Sequence, residues 1–317
     1  MQQITKAGED VIMFYTVTLS PSIDYVVHLK SFTKGITNRT ISEEYYIGGK
    51  GINISCVLKE LGIESTAFGF IAGLTGDTIE EGMQHKGIQT QFIRLPEGNS
   101  RINVKIKAAE ESEINGQGPD ISEEAFSALL AKMDIIADGD TLVLGGAIPN
   151  TLAGDAYVRI LQRIKGKQVR IVVDASRKLL TDCLKFKPFL IKPNKRELAE
   201  IFMKQMTCEQ DIIECAKELK KMGAKNVIVS LGVDGALLLS EDGNIRTIRN
   251  IPGKVRSTVG AGDAMMAGFL AGYDNSGGNY DEALLTAAAC GNATAFSSGL
   301  ADAEGIRLVA QKMRDRG

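Results

Sequence analysis

Ala264 to Ala271 is an eight-residue run, Ala-Met-Met-Ala-Gly-Phe-Leu-Ala, without one polar side chain. A helix apolar on every side must be enclosed by other elements, so this run demands a core on all its flanks. Its entrance, Ser257-Thr258-Val259-Gly260-Ala261-Gly262-Asp263, is as restrictive. Two glycines bracketing an alanine allow backbone angles that side chains forbid, so successive N–H groups can converge on one point. The helix end adds partial positive charge there. An anion is invited, and Asp263 is out of place unless it takes a proton from a group beside that anion. Phosphoryl transfer to a hydroxyl needs this combination. Asp is also a favoured N-cap, and the spacing fits capping equally well. A dinucleotide loop needs a third glycine where Met265 stands, and a Walker loop needs Gly-Lys-Ser/Thr; neither fits.

At 317 residues the chain can bury one large core or two modest ones, and 44% apolar with 24% charged residues is an ordinary soluble composition. The net charge of −2 gives no reason to expect nucleic acid or an anionic membrane as partner, so an anionic substrate must rely on a local group of Lys and Arg. No run of 18 apolar residues suggests a membrane span. Residues 1–12 mix Lys6, Glu9 and Asp10 and read as an extension or expression remnant, not a secretory signal. Five scattered cysteines, never spaced Cys-x-x-Cys, read as reduced cytoplasmic thiols. Two histidines, His28 and His85, are too few for a histidine-rich metal site, and neither has the context of a hydrolytic triad.

Phe14 to Leu19 is a strand stopped by Ser20-Pro21, with Asp24 following at the mouth of an α/β sheet. Tyr25–Leu29 and Thr40–Ile47 alternate partially, as a small excursion outside the main fold, with Arg39 in the loop between them. Gly48-Gly49-Lys50-Gly51-Ile52-Asn53 then opens a helix; a plain glycine turn accounts for the glycines but not for Lys50. Arg101 to Lys107 alternates strictly, placing Arg101, Asn103, Lys105 and Lys107 on one face. That face suits either a solvated edge strand or a reader of phosphate and hydroxyls. From 119 the rhythm is strand and helix in turn: helices at 122–136, 151–164 and 208–222, strands at 141–144, 169–174, 189–191 and 226–230, a hairpin turning at 241–244, then helices at 280–297 and 303–314. This implies a parallel sheet covered on both faces, with ligands at the carboxyl ends of its strands. Asn194-Lys195-Arg196-Glu197 fits a capping box, and equally a nucleotide-phosphate site where Glu197 meets a hydrated Mg²⁺ through water.

Five motifs stand in order: Ser20-Pro21-Ser22-Ile23-Asp24, Gly48 to Asn53, Lys192-Pro193-Asn194-Lys195-Arg196-Glu197, Ser230-Leu231-Gly232, and the loop 257–263. Together they resemble the ribokinase-like (PfkB) carbohydrate kinases over nearly all of residues 13–315. Arg101-Ile102-Asn103-Val104-Lys105 and Glu113 to Pro119 resemble the phosphosugar branch that contains the 1-phosphofructokinases and tagatose-6-phosphate kinases. The resemblance implies a three-layer αβα core (13–24, 48–90 and 119–317) with a mainly parallel sheet. It also implies a discontinuous β-lid (25–47 and 91–118) that forms a homodimer, and the use of ATP with Mg²⁺. The implied reaction phosphorylates the 6-hydroxyl of fructose 1-phosphate, giving fructose 1,6-bisphosphate. Tagatose-6-phosphate kinase, 6-phosphofructokinase and, in another class, a non-catalytic sugar-phosphate sensor are the rivals; a nicotinamide dehydrogenase lacks its fingerprint.

By the same resemblance Asp263 is the base, with Gly260, Ala261 and Gly262 as the anion hole. Asp24, Gly48, Gly49, Lys50, Asn53, Arg39, Arg101, Asn103 and Lys105 face the phosphosugar. Lys192, Asn194, Glu197, Ser230, Gly232, Thr258 and Asn292 face the nucleotide, together with Gly260 and Gly262. Ala147 stands where the family usually has a serine that touches substrate.

Overall fold

The computed structural model describes residues 12–316, so the expectation for the first twelve residues lies, but for Ile12, outside them. The chain enters through β1 (Phe14–Thr18), leaves for β2 (Ser22–His28) and β3 (Ser42–Gly48), and returns through α1 (Lys50–Glu60) to β4 (Ser65–Ile71). Next come α2 (Gly73–His85), β5 (Gln89–Thr90) and β6 (Ile93–Arg94), then β7 (Arg101–Lys107) and β8 (Ser112–Asn115). The second half runs α3 (Glu123–Lys132), β9 (Thr141–Gly145), α4 (Ala156–Arg163), β10 (Arg170–Asp174), α5 (Arg177–Cys183) and β11 (Leu190–Ile191). It continues through α6 (Lys195–Phe202), α7 (Glu209–Lys221), β12 (Asn226–Ser230), β13 (Ala236–Leu239) and β14 (Ile245–Ile248). It ends with α8 (Ala261–Asn275), α9 (Tyr280–Phe296) and α10 (Ala303–Arg314).

The large sheet runs β14-β13-β12-β11-β10-β9-β1-β4-β5, with β6 also paired to β4. Its pairings are parallel except at one edge, where β13 runs antiparallel to both β12 and β14. Strands β1, β4 and β9 are buried at every residue, as parallel strands covered on both faces must be. Tyr15 and Val17 of β1 join the core under α3 to α7, whereas Phe14 joins the core under α1, α8, α9 and α10. The layers are therefore helix, sheet, helix. Apolar on all sides, α8 is enclosed: Asp263 to Gly272 are buried without a break, packed chiefly between α1 and α9.

The small sheet runs β3-β2-β7-β8, with β2 and β7 parallel and Asp24 opposite Asn103. Two boundaries differ from the expectation. Asp24 is the third residue of β2 in the small sheet, not the end of a core strand. Residues 91–94 stay with the core, because Phe92 and Leu95 are buried there and β6 adds to β4. Local chemistry also moves two helix ends. Helix α4 begins only at Ala156, beyond Pro149 and Gly154, and α3 tightens into a 3₁₀ turn at Met133–Ile135. No helix among the described residues is long and apolar enough to cross a membrane.

Candidate active site

Chain connections diverge at β1: the chain passes to β4 on one side, and later strands add from β9 outward on the other. The carboxyl ends beside such a divergence form a crevice, the usual ligand site of an open α/β sheet. Here they deliver Thr18, Gly145 and Asp174, with Lys192 just past β11, and the amino ends of α1 and α8 point to the same place.

Gly260 is the residue before α8, with φ 77°, and a Cβ there would meet Leu300 Cδ2 at 2.7 Å. Only glycine suits both constraints. Asp263 does not cap this helix, so the capping alternative falls. Its Oδ2 instead accepts a bond from Asn53 Nδ2 at 2.7 Å, and the residue is 6% exposed. Of the expected anion-hole trio, the Ala261 N–H turns back to the Thr258 carbonyl at 3.3 Å, and Ala264 N–H returns to Gly260 at 2.8 Å. As the first amides of a helix lack intrahelical acceptors, those of Gly260, Gly262 and Asp263, which return to no backbone carbonyl, are the donors left to face a ligand.

Gly49, φ 122°, opens α1 against the Thr18 methyl and places Lys50 first in the helix. Lys50 Nζ bonds Asp174 Oδ1 at 2.9 Å, and Lys192 Nζ lies 3.6 Å from Oδ2 of the same carboxylate. Burial, and after it the Asp174 charge, push Asp263 up to about 6, against the pull of Lys50, the Asn53 bond and Lys192. Burial also opposes the Asp174 charge, but Lys192 and Lys50 outweigh it and hold that carboxyl below its ordinary range. For Lys50, burial is likewise overcome, by Asp174 and then Asp263, and its proton is held more tightly than usual.

A cleft of about 230 Å³ adjoins Asp263, lined among others by Gly49, Lys50, Asn53, Arg101 and Gly260. Its lid wall is a bonded cluster: Asp24 Oδ1 accepts from Ser22 Oγ at 3.0 Å and Asn103 Nδ2 at 2.8 Å, and Lys105 Nζ lies 2.9 Å from Oδ2. The Asn103 Oδ1 is buried without a hydrogen-bond partner. Arg101 gives its Nε to the Ser20 carbonyl at 3.1 Å, and burial lowers its proton affinity. Gly48 ends β3 opposite Ser22. Lys105 lines a second cavity of about 540 Å³ that opens from the first through Asp24, Asn53 and Gly260. Gly48 and Arg39 are the exceptions, lining neither cavity, and Arg39 is exposed on the loop between β2 and β3.

Of the residues expected on the nucleotide side, Asn194, Glu197, Ser230, Gly232, Thr258 and Asn292 line neither cavity. Asn194 and Ser230 bridge in parallel, and Ser230 N–H donates to the Pro193 carbonyl at 3.1 Å. Asn194 and Glu197 make both bonds of a capping box at 2.8 Å, which uses Glu197 Oε2 and not Oε1. Asn250 Nδ2 donates to the Gly232 carbonyl at 2.7 Å, and its Oδ1 accepts from buried Asn292 at 2.7 Å. Thr258 is exposed just before the glycine loop. No three His, Cys, Asp or Glu residues cluster as a metal cage among the described residues. A magnesium ion that keeps most of its waters and leans on nucleotide phosphates fits such a sparse donor set.

The family model for pfkB carbohydrate kinases matches residues 17–305. The chain belongs to that family. A 1-phosphofructokinase of Bacillus subtilis is 41% identical over 303 residues, 95% of this chain and 99% of its own. A D-tagatose-1-phosphate kinase of Bacillus licheniformis is 39% identical over the same shares of both chains. The structure of Escherichia coli phosphofructokinase-2 in complex with substrates and products superposes with a TM-score of 0.90, covering 96% of this chain and 100% of that one. At 24% identity that match carries the fold alone, and the fold is ribokinase-like. As a pfkB kinase the chain is a phosphotransferase acting on a sugar hydroxyl.

Two residues of the site were not singled out in the sequence. Asp174 ends a buried strand, so the strand-end logic applied to Asp24 would have found it. Asn250 follows β14 in an irregular stretch, where no pattern marks it.

Proposed function

We propose that this kinase transfers the γ-phosphoryl group of ATP to the 6-hydroxyl of fructose 1-phosphate, giving fructose 1,6-bisphosphate. The observation that carries the chemistry is Asp263: a buried carboxylate, poised at about 6, beside a glycine-opened helix end and two lysines. Asp263 takes the proton of the attacking hydroxyl as that oxygen bonds to phosphorus and the bridge to ADP breaks. The amides of Gly262 and Asp263, the dipole of α8, and Lys50 and Lys192 stabilise the charge gathering on the phosphoryl oxygens. Glu197 would hold a hydrated Mg²⁺ through water, and the bound ion would supply further charge neutralisation at the phosphates. Asn194, Ser230, Gly232, Thr258 and Asn292 are the residues set to hold the nucleotide.

Asp24, Asn53 and Asn103 offer acceptors and donors to sugar hydroxyls, and Arg101 is the cation placed for the substrate phosphate. Within the chain's relatives, the 41% and 39% matches favour the two sugars almost equally. Tagatose 1-phosphate is therefore the second reading, since it differs from fructose 1-phosphate only in configuration at C4. A silent sensor would have no use for a buried, proton-accepting Asp263. The lid is set to pair two subunits, and five free cysteines, four of them buried, suit the cytoplasm. A coupled ADP-release assay decides the substrate. With fructose 1-phosphate, tagatose 1-phosphate, fructose 6-phosphate and tagatose 6-phosphate in parallel, kcat/KM is expected to be highest for fructose 1-phosphate. Preference for either 6-phosphate would refute the reading.

A further inference from the structure

Two cations of this site stand where helix electrostatics disfavours them. Lys50 is the first residue of α1, and Lys192 Nζ lies within 2.9 Å of where a Gly262 Cβ would be, at the amino end of α8. Lysines are stabilised at carboxyl ends of helices, not amino ends. One carboxylate offsets both: Asp174, 1% exposed, at the end of β10. It lines neither cavity, and its side-chain contacts are these two ammoniums. It grips the two lysines unequally, Lys50 through a 2.9 Å bond and Lys192 across 3.6 Å, and its Oδ2 makes no hydrogen bond. Lys192 is thus tethered while its N–H groups remain open to another anion.

The geometry points to Asp174 as a positioning residue that holds Lys50 against the acceptor side and Lys192 against the glycine loop, so that both ammoniums flank the migrating phosphoryl group. This rests on Asp263 being the base. The groups facing Asp263 are Asn53 and Lys50 from α1, Asp174 from β10 and Lys192 beyond β11. Removing the Asp174 charge takes away the one neighbour that opposes ionisation and frees the two lysines that, with Asn53, favour it. Asp263 then titrates at lower pH.

The experiment compares wild type, Asp174→Asn and Asp174→Glu by steady-state kinetics and by ¹³C NMR titration of the Asp263 carboxyl. Asp174→Asn is expected to lower kcat about 100-fold, change either KM less than fivefold, and move the Asp263 midpoint down by about one pH unit. Asp174→Glu keeps the charge but shifts both ammoniums by a methylene. It is expected to cost at least tenfold in kcat with the midpoint within 0.3 unit of wild type, roughly a twofold change in equilibrium. An unmoved midpoint in Asp174→Asn overturns the proposal. Should that variant not fold, kcat of Asp174→Glu within twofold of wild type overturns it instead. Failure of the substrate reading looks different: wild type is then inactive on all four phosphosugars while the midpoint shift persists.

Discussion

Asn53 Nδ2 donates to Asp263 Oδ2 at 2.7 Å, joining the first turns of α1 and α8 across 210 residues of chain. The bond favours the carboxylate form and so restrains a group that burial drives the other way. Activity by a base requires ionised Asp263, so kcat/KM of the free enzyme is expected to fall tenfold per unit below a midpoint near 6. Removing the bond with Asn53→Ala should move that acidic limb to higher pH. A limb at the ordinary carboxylate value, or one that moves down, would contradict this account.

Asp263→Asn keeps the shape and removes the proton acceptor. A loss of roughly 10²–10⁴ in kcat is expected, the usual worth of general base catalysis. Stability should change in the opposite sense. With its folded value raised to about 6 from 3.8, Asp263 contributes stability below pH 4 that is lost as pH rises through 6. At pH 7 the ionised side chain therefore costs on the order of 3 kcal/mol, which Asn avoids. Tm of the variant should exceed wild type at pH 7, with the gap closing toward pH 4. A kcat within threefold of wild type would sink the mechanism.

Legibility in the sequence followed the range of each signal. Parallel strands flanked by turns declare themselves locally, so β9, β10 and β12 were readable from their apolar runs. Glycine loops and acids at strand ends likewise marked Gly49, Lys50 and Asp263. What was not readable is pairing across long separations. Nothing near Asp174 says that lysines 124 residues upstream and 18 downstream meet on it. Asp24 was assigned to the core for the same reason, because its place in β2 is set by β7, whose register puts Asn103 and Lys105 around its carboxylate. The pattern at Asn194 and Glu197 fits a capping box and a nucleotide-phosphate site equally; the capping box is formed, and the nucleotide-side role is left to experiment.

Arg101 is anchored through Nε to the Ser20 carbonyl, so its guanidinium is held at the cleft with little freedom left to lose. Charge-assisted bonds are worth about 1.5–3 kcal/mol, or roughly 10- to 150-fold in affinity. Arg101→Ala should raise KM for the phosphosugar by that factor and leave KM for ATP within threefold. Equal increases for both substrates would make Arg101 a structural residue.

The lid predicts an assembly. Register aligns Tyr45, Tyr25, Val104 and Ile114 in one row across its four strands, on the face opposite Asp24 and Asn103. Tyr45 and Ile114 are 64% and 61% exposed, and an apolar row of this kind marks an interaction surface. A dimer through this face is expected in sedimentation, and Ile114→Asp with Tyr45→Asp should give monomers. Arg39 extends the prediction: it lies exposed on the lid loop and lines neither cavity of its own chain, so it is expected to read the phosphosugar from the partner's side. Each of Arg39→Ala and Asp263→Asn should be impaired alone. Mixed one to one and allowed to exchange, half of the dimers are hybrids, each with one site holding both native groups. Recovery to about a quarter of wild-type activity is then expected. A mixture no more active than the mean of its two parents would place Arg39 outside the partner's site.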